Sequence, residues 1–138
     1  MDGAAATWQS LTMPSETSDR PETAPPALVL LVEDSAIIAM NTETLLLELD
    51  VGAVRTAASV AEALALIEAE PFDLAILDFN LGSENCLPIA ERLVAEQVPI
   101  VFATGFGDDL KINSAWSTAP VLKKPYGFAD LERIIRGV

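Results

Sequence analysis

Four short apolar runs each end in a chemically competent group, and this pattern limits the fold more than any other feature of the chain. The runs are Ala27–Val32, Leu74–Leu77, Pro99–Ala103 and Val121–Leu122. They lead into Glu33-Asp34, Asp78, Thr104 and Lys124. Apolar runs of this length, separated by helical patterns, read as strands of a parallel sheet buried on both faces. Groups at the C-terminal ends of such strands open into one crevice, where open α/β sheets bind ligands. Acids, a hydroxyl and an ammonium from distant parts of the chain therefore meet at one edge of the sheet.

The intervening segments supply the helices. A helix is predicted from Ser35 to about Asp50, with Gly52 as its C-terminal stop. Val54–Ala57 is a weaker second strand. Ser59 and Glu62 form a capping box ahead of Val60, Leu64 and Ile67, which share a helical face, and Pro71 closes that helix. Phe72–Asp78 is the third strand. A loop through Asn85 leads to a helix carrying Ile89 and Leu93, and Val98–Ala103 is the fourth strand. Val121–Leu122 is a short fifth strand, followed by a helix with Leu131, Ile134 and Ile135 on one face. Arg133 and Arg136 stand near its C-terminal dipole end. The alternation predicts a doubly wound α/β fold: a five-stranded parallel sheet of flavodoxin-like order 2-1-3-4-5, with helices on both faces. Gly105–Pro120 is rich in glycine, serine and threonine, so any fourth helix there is expected to be short or labile.

A chain of 138 residues with 51% apolar content supports one domain with a real core. Residues 27–138 form that domain. Met1–Pro26, with four prolines among serine, threonine, glutamate and alanine, has the composition of a disordered tail, in which Trp8, Leu11 and Met13 are the only candidates for a docking patch. A net charge of −13 argues against nucleic acid and against an anionic membrane surface. A single cysteine, Cys86, excludes an internal disulfide and fits a reducing cytoplasm. It reads as a helix-start residue, without a basic neighbour to activate it. No run is long enough to span a membrane, and the N-terminus lacks the pattern of a signal peptide. The absence of histidine excludes imidazole catalysis and a phosphohistidine on this chain.

In the predicted strand order, Asp34 and Asp78 end neighbouring strands. Crowded carboxylates repel one another unless a cation enters. An oxygen-only donor set without His or Cys favours a hard cation, Mg²⁺ or Mn²⁺. A hydroxyl and a lysine beside such a site suit the oxygens of a phosphoryl group, and an aspartate can itself be the nucleophile that yields an acyl phosphate.

On these residues the chain resembles the receiver domains of two-component response regulators over Ala27–Val138. That family has an acidic pair after strand one, an Asp after strand three, a Ser or Thr after strand four and Lys-Pro after strand five. Here these are Glu33-Asp34, Asp78, Thr104 and Lys124-Pro125. The resemblance implies that Asp78 is the phosphoacceptor. It also implies that Asp34 and Asp78 bind Mg²⁺ directly, with Glu33 acting through water and the Asn80 carbonyl as a further ligand. Thr104 and Lys124 would then hold the phosphoryl group, and the Lys124-Pro125 bond would be cis. Phe102-Ala103-Thr104-Gly105-Phe106-Gly107 further resembles the FAT-GUY receivers, mostly single-domain regulators often paired with HWE-type histidine kinases. By resemblance the partner is such a kinase, and output runs through protein contact, a phosphate sink or a relay.

Some positions depart from the family pattern. Val121 stands where many receivers carry an aromatic reporter of phosphorylation. Phe106, two residues after Thr104, is bulky enough either to pack in the core or to impede a hydrolytic water. The 26 residues from Asp78 to Thr104 leave room for only a short third helix, and Lys123 reads as an outward charge. Three rival readings fit less well. A haloacid-dehalogenase-like phosphatase would need a second Asp where Asn80 stands. A flavin or nucleotide binder would need a Gly- or Ser/Thr-rich turn in place of Glu33-Asp34-Ser35. A pseudo-receiver binding module would lack a phosphotransfer group, and none is missing.

Overall fold

The computed structural model describes residues 24–105 and 119–137. Its elements are β1 (Leu28–Val32), α1 (Ala36–Glu48), β2 (Ala53–Ala57), α2 (Val60–Ala69), β3 (Leu74–Asp78), β4 (Asn80–Leu81), β5 (Glu84–Asn85), α3 (Leu87–Ala95), β6 (Ile100–Thr104), β7 (Val121–Lys123) and α4 (Phe128–Arg136). The main sheet runs β2-β1-β3-β6-β7 with every pairing parallel, which is the predicted order with the five long strands counted in sequence.

Side chains alternate across the sheet and divide the apolar residues into two cores. Leu30, Val32, Ala75, Leu77, Ile100 and Phe102 face α2 and α3. Val29, Leu31, Leu74, Ile76, Val101 and Ala103 face α1 and α4. The central strands β3 and β6 are buried along their whole length, which accounts for their unbroken apolar sequence. Phe79, just past Asp78, meets Phe102 edge-to-face at a centroid distance of 6.3 Å and 70°. Such a pair adds about 1 kcal/mol beyond area burial. It also fixes the backbone on the far side of Asp78.

The helix ends follow local chemistry, with two differences from expectation. Ser35 caps α1 by accepting from Ile38 N at 3.3 Å. Ser59 accepts from Glu62 N at 3.2 Å, but the returning Glu62 carboxylate takes the amide of Ala58 at 2.8 Å rather than that of Ser59. The predicted stop at Gly52 is a different device. The left-handed residue after α1 is Asp50, at φ 69°, a conformation aspartate tolerates. Gly52 is needed because a Cβ there would lie 2.4 Å from the Ala27 carbonyl oxygen. The same close approach lets Gly52 N donate to the Pro26 carbonyl at 3.1 Å, which ties Pro26 to the start of β2.

The expected loop after β3 contains a small antiparallel hairpin, β4–β5, turning at Gly82 with φ 76°. It closes onto α3, where Asn85 Oδ1 accepts from Leu87 N at 2.9 Å and Cys86 N donates to the Phe79 carbonyl at 3.1 Å. Cys86 occupies the start of α3 as expected and is buried, and burial pushes its thiol up to about 12. The short α3 has nine residues. Met1–Pro25 lies mostly outside the described residues, as do Phe106 and most of the Gly105–Pro120 segment. Among the described residues no helix is long and apolar enough to cross a membrane.

Candidate functional site at the C-terminal edge of the sheet

Glu33 continues the β1 ladder by one step, donating from its amide to the Ala57 carbonyl at 2.9 Å. That step turns its side chain inward, leaving the residue 4% exposed, and leaves Asp34 outward. Asp78 ends β3 in register with Ala103 of β6 and is 3% exposed. Because β1 and β3 are neighbours, one carboxylate oxygen each from Glu33, Asp34 and Asp78 falls within 4.8 Å of the others.

Lys124 enters from the opposite side. Its amide donates to the Thr104 carbonyl at 2.8 Å, which fixes the backbone just past β7. Its ammonium reaches Asp78 Oδ2 at 2.9 Å and Glu33 Oε2 at 3.1 Å. Burial works against the charged ammonium, but the hydrogen bond and charge of Asp78, then those of Glu33, outweigh it and raise the Lys124 pKa. Lys123 is exposed and paired in register with Thr104, whereas Lys124 is the lysine whose ammonium meets Asp78 and Glu33. Thr104 is fully buried one residue beyond the register partner of Asp78. The Asn80 backbone N–H donates to Asp78 Oδ1 at 3.3 Å, and the Lys124-Pro125 bond is cis.

Three features of the site went unread in the sequence. Gly82, in the β4–β5 turn, places its backbone beside Asp34, and a Cβ on it would lie 3.8 Å from Asp34 Oδ2. The Gly82-Ser83 pair was the available hairpin signal. The other two are Thr42 and Tyr126, whose hydroxyl oxygens lie 3.0 Å apart and link α1 to the segment after β7. Thr42 was visible as the polar member of the stripe Ala39, Thr42, Leu46. Burial raises the Tyr126 hydroxyl above the usual tyrosine range, with the charge of Glu33 adding to the rise and the Thr42 hydrogen bond opposing it. Val121 is half-buried and packs against the core facing α2 and α3.

The donor set is three carboxylates with one partly exposed oxygen edge, bordered by an open hollow of about 230 Å³ that touches Glu33, Asp34 and Met40. All-oxygen, anionic and open, it fits a hard divalent cation such as Mg²⁺. One ammonium facing two buried carboxylates leaves the cluster with excess negative charge, which such a cation would offset.

Comparison with known proteins places these features in a family. Residues 29–136 match the response regulator receiver domain. The solution structure of SdrG from Sphingomonas melonis Fr1 is 44% identical, with a TM-score of 0.69 over 78% of this chain and 91% of that one. The BeF3-activated conformation of SdrG, from Pseudomonas melonis Fr1, is 42% identical, with a TM-score of 0.69 over 80% of this chain and 94% of that one. The transcriptional regulatory protein PdtaR of Mycobacterium tuberculosis is 30% identical over 122 residues, 86% of this chain. The match spans only 59% of PdtaR's length.

Proposed function

The chain belongs to the response regulator receiver domains, and on that footing we propose that Asp78 is its phosphoacceptor and that residues 27–138 act as a phosphorylation-controlled signalling module. The observation that carries this reading is the convergence of Lys124 with Asp78 at 2.9 Å beside Glu33 and Asp34. In the step, the Asp78 carboxylate forms a bond to phosphorus while the donor's P–N bond breaks and its electron pair leaves with the donor imidazole. With acetyl phosphate the bond that breaks is P–O, and acetate leaves.

Each residue has a role in that step. Lys124 balances charge on the phosphoryl oxygens as it now does on Asp78, and the Thr104 hydroxyl binds another of those oxygens. Asp34 and Asp78 would hold Mg²⁺, with Glu33 and the Asn80 carbonyl as further oxygen donors to the ion or its waters. When bound, the metal supplies positive charge against the carboxylates and the incoming phosphoryl group. Hydrolysis of the acyl phosphate is slow self-dephosphorylation rather than turnover. The excess of acidic residues and the match to receivers support a cytoplasmic protein that meets a histidine kinase rather than nucleic acid.

The FAT-GUY assignment rests on Phe102–Gly107 and gains support from the 44% identity to SdrG. It favours an HWE-type kinase as the phosphodonor, with output by protein contact, as a phosphate sink or through a relay. The test is Asp78→Asn with acetyl phosphate and Mg²⁺, followed by intact mass. The unmodified protein gains one phosphoryl group and the variant gains none, because an amide is not a nucleophile here. Comparable labelling of the variant overturns the assignment.

A further inference from the structure

The proposed lysine is held by more than its carboxylates. Lys124 Nζ contacts Glu33 Oε2, and the other oxygen of Glu33 accepts from Ser35 N at 3.0 Å, at the cap of α1. Two turns further along α1, Thr42 meets the hydroxyl of Tyr126, two residues past Lys124. The contacts thus close a ring: Lys124, Glu33, the start of α1, Thr42, Tyr126 and back through Pro125. Thr42 is 2% exposed and lies on the buried stripe of the helix, where an aliphatic residue would pack without a polar cost. Its neighbour Thr44 makes the ordinary local bond, donating to the Met40 carbonyl at 3.0 Å. Thr42 instead pairs across elements with the one tyrosine of the chain. Tyr126 and Leu45 both pack against the core facing α1 and α4, and an open pocket of about 490 Å³ lies between the Lys124–Tyr126 segment and Ile38, Asn41 and Leu45 of α1, so the hydroxyl pair is the polar link across that gap.

We infer that the Tyr126–Thr42 hydroxyl pair is a tether that positions the Lys124 ammonium over Asp78, so Tyr126 and Thr42 are positioning residues for phosphoryl transfer. This rests on the phosphoacceptor reading for its kinetic consequence but not for its structural one. With the tether cut, Pro125 and Tyr126 relax into the pocket and the ammonium spends less time in its two-carboxylate geometry.

Two measurements test it. In the first, labelling by acetyl phosphate is timed for the unmodified protein, Tyr126→Phe, Thr42→Val, both together, and Thr42→Ser. Each hydroxyl deletion slows labelling by about fivefold, the scale of one net hydrogen bond. The double variant is no slower than either single one, and Thr42→Ser, which keeps the hydroxyl, stays near the unmodified rate. Tyr126→Phe changes nothing in a Lys124→Ala background, which separates positioning from a general structural effect. The second measurement is the ¹⁵Nζ spectrum of the lysine ammonium groups, of which the chain has three. Lys124 gives a slowly exchanging signal in the unmodified protein that broadens or vanishes in Tyr126→Phe. An unchanged Lys124 signal overturns the tether, whatever the labelling shows. Equal labelling rates for Tyr126→Phe and the unmodified protein overturn it as well. No labelling of the unmodified protein refutes the phosphoacceptor reading, and the ammonium spectrum then decides the tether alone.

Discussion

Replacing Lys124 by methionine removes one charge and little volume, and its cost can be worked from the site. The ammonium sits 2.9 Å and 3.1 Å from two carboxylates whose side chains are 4% and 2% exposed. At an effective dielectric of about 20, each contact is worth about 5 kcal/mol before desolvation. Most of that gain is offset by the cost of taking the charges out of water. Removing one partner of a buried pair costs about 3–5 kcal/mol, because the remaining charges stay buried without a counterion. Lys124 keeps 24% of its side chain exposed, so the lower end applies, about 3 kcal/mol. For a domain of this size that lowers Tm by about 12 °C. The assay is urea unfolding in EDTA followed by far-UV circular dichroism, reading the midpoint at constant m. The sign with pH follows from the raised lysine pKa. Its stabilisation is complete below the ordinary value of 10.5 and fades only as pH rises through the higher folded value, so the loss is flat from pH 6 to 9. If uncompensated charge is the cause, Asp78→Asn in the Lys124→Met background recovers much of the stability. A loss below about 1 kcal/mol, or an equal loss with and without Asp78→Asn, refutes the reasoning.

Four further outcomes are expected. Asp34→Ala weakens Mg²⁺ binding at least about tenfold, read by the metal's effect on the spectra of the site amides, since it removes an anionic oxygen from the cluster. Gly52→Ala costs about 2 kcal/mol in urea unfolding, because its Cβ meets a backbone carbonyl that cannot move aside. Cys86 stays unreactive toward a thiol reagent until the chain unfolds, and stability falls as pH rises from 9.0 toward 12, where the unfolded thiol ionises and the folded one does not. Deleting residues 1–23 leaves the unfolding midpoint and Asp78 labelling nearly unchanged, on the low apolar content of that segment, whereas deletion through Pro26 removes the acceptor for Gly52 N.

The sequence by itself determined the sheet and the gathering of polar side chains at one of its edges. Short unbroken apolar runs that alternate with helical patterns are satisfied as strands covered on both faces. Residues at the ends of such strands must share one edge, so Glu33, Asp34, Asp78 and Lys124 are legible as a group from the chain alone. Strand ends were read to within one or two residues, because the ladder rather than propensity ends them: Phe72 packs in the core ahead of β3, and Thr104 and Lys123 still pair. What only the tertiary structure decided depends on distances between segments remote in the chain. Gly52 read as a helix stop, but its reason is the Ala27 carbonyl on the neighbouring segment, which no local pattern reveals. The hairpin at Gly82 has strands of two residues, too short to carry a period. Tyr126 and Thr42 are 84 positions apart and each is ordinary alone. Only the fold, by laying α1 against the segment after β7, turns two hydroxyls into a link to the site.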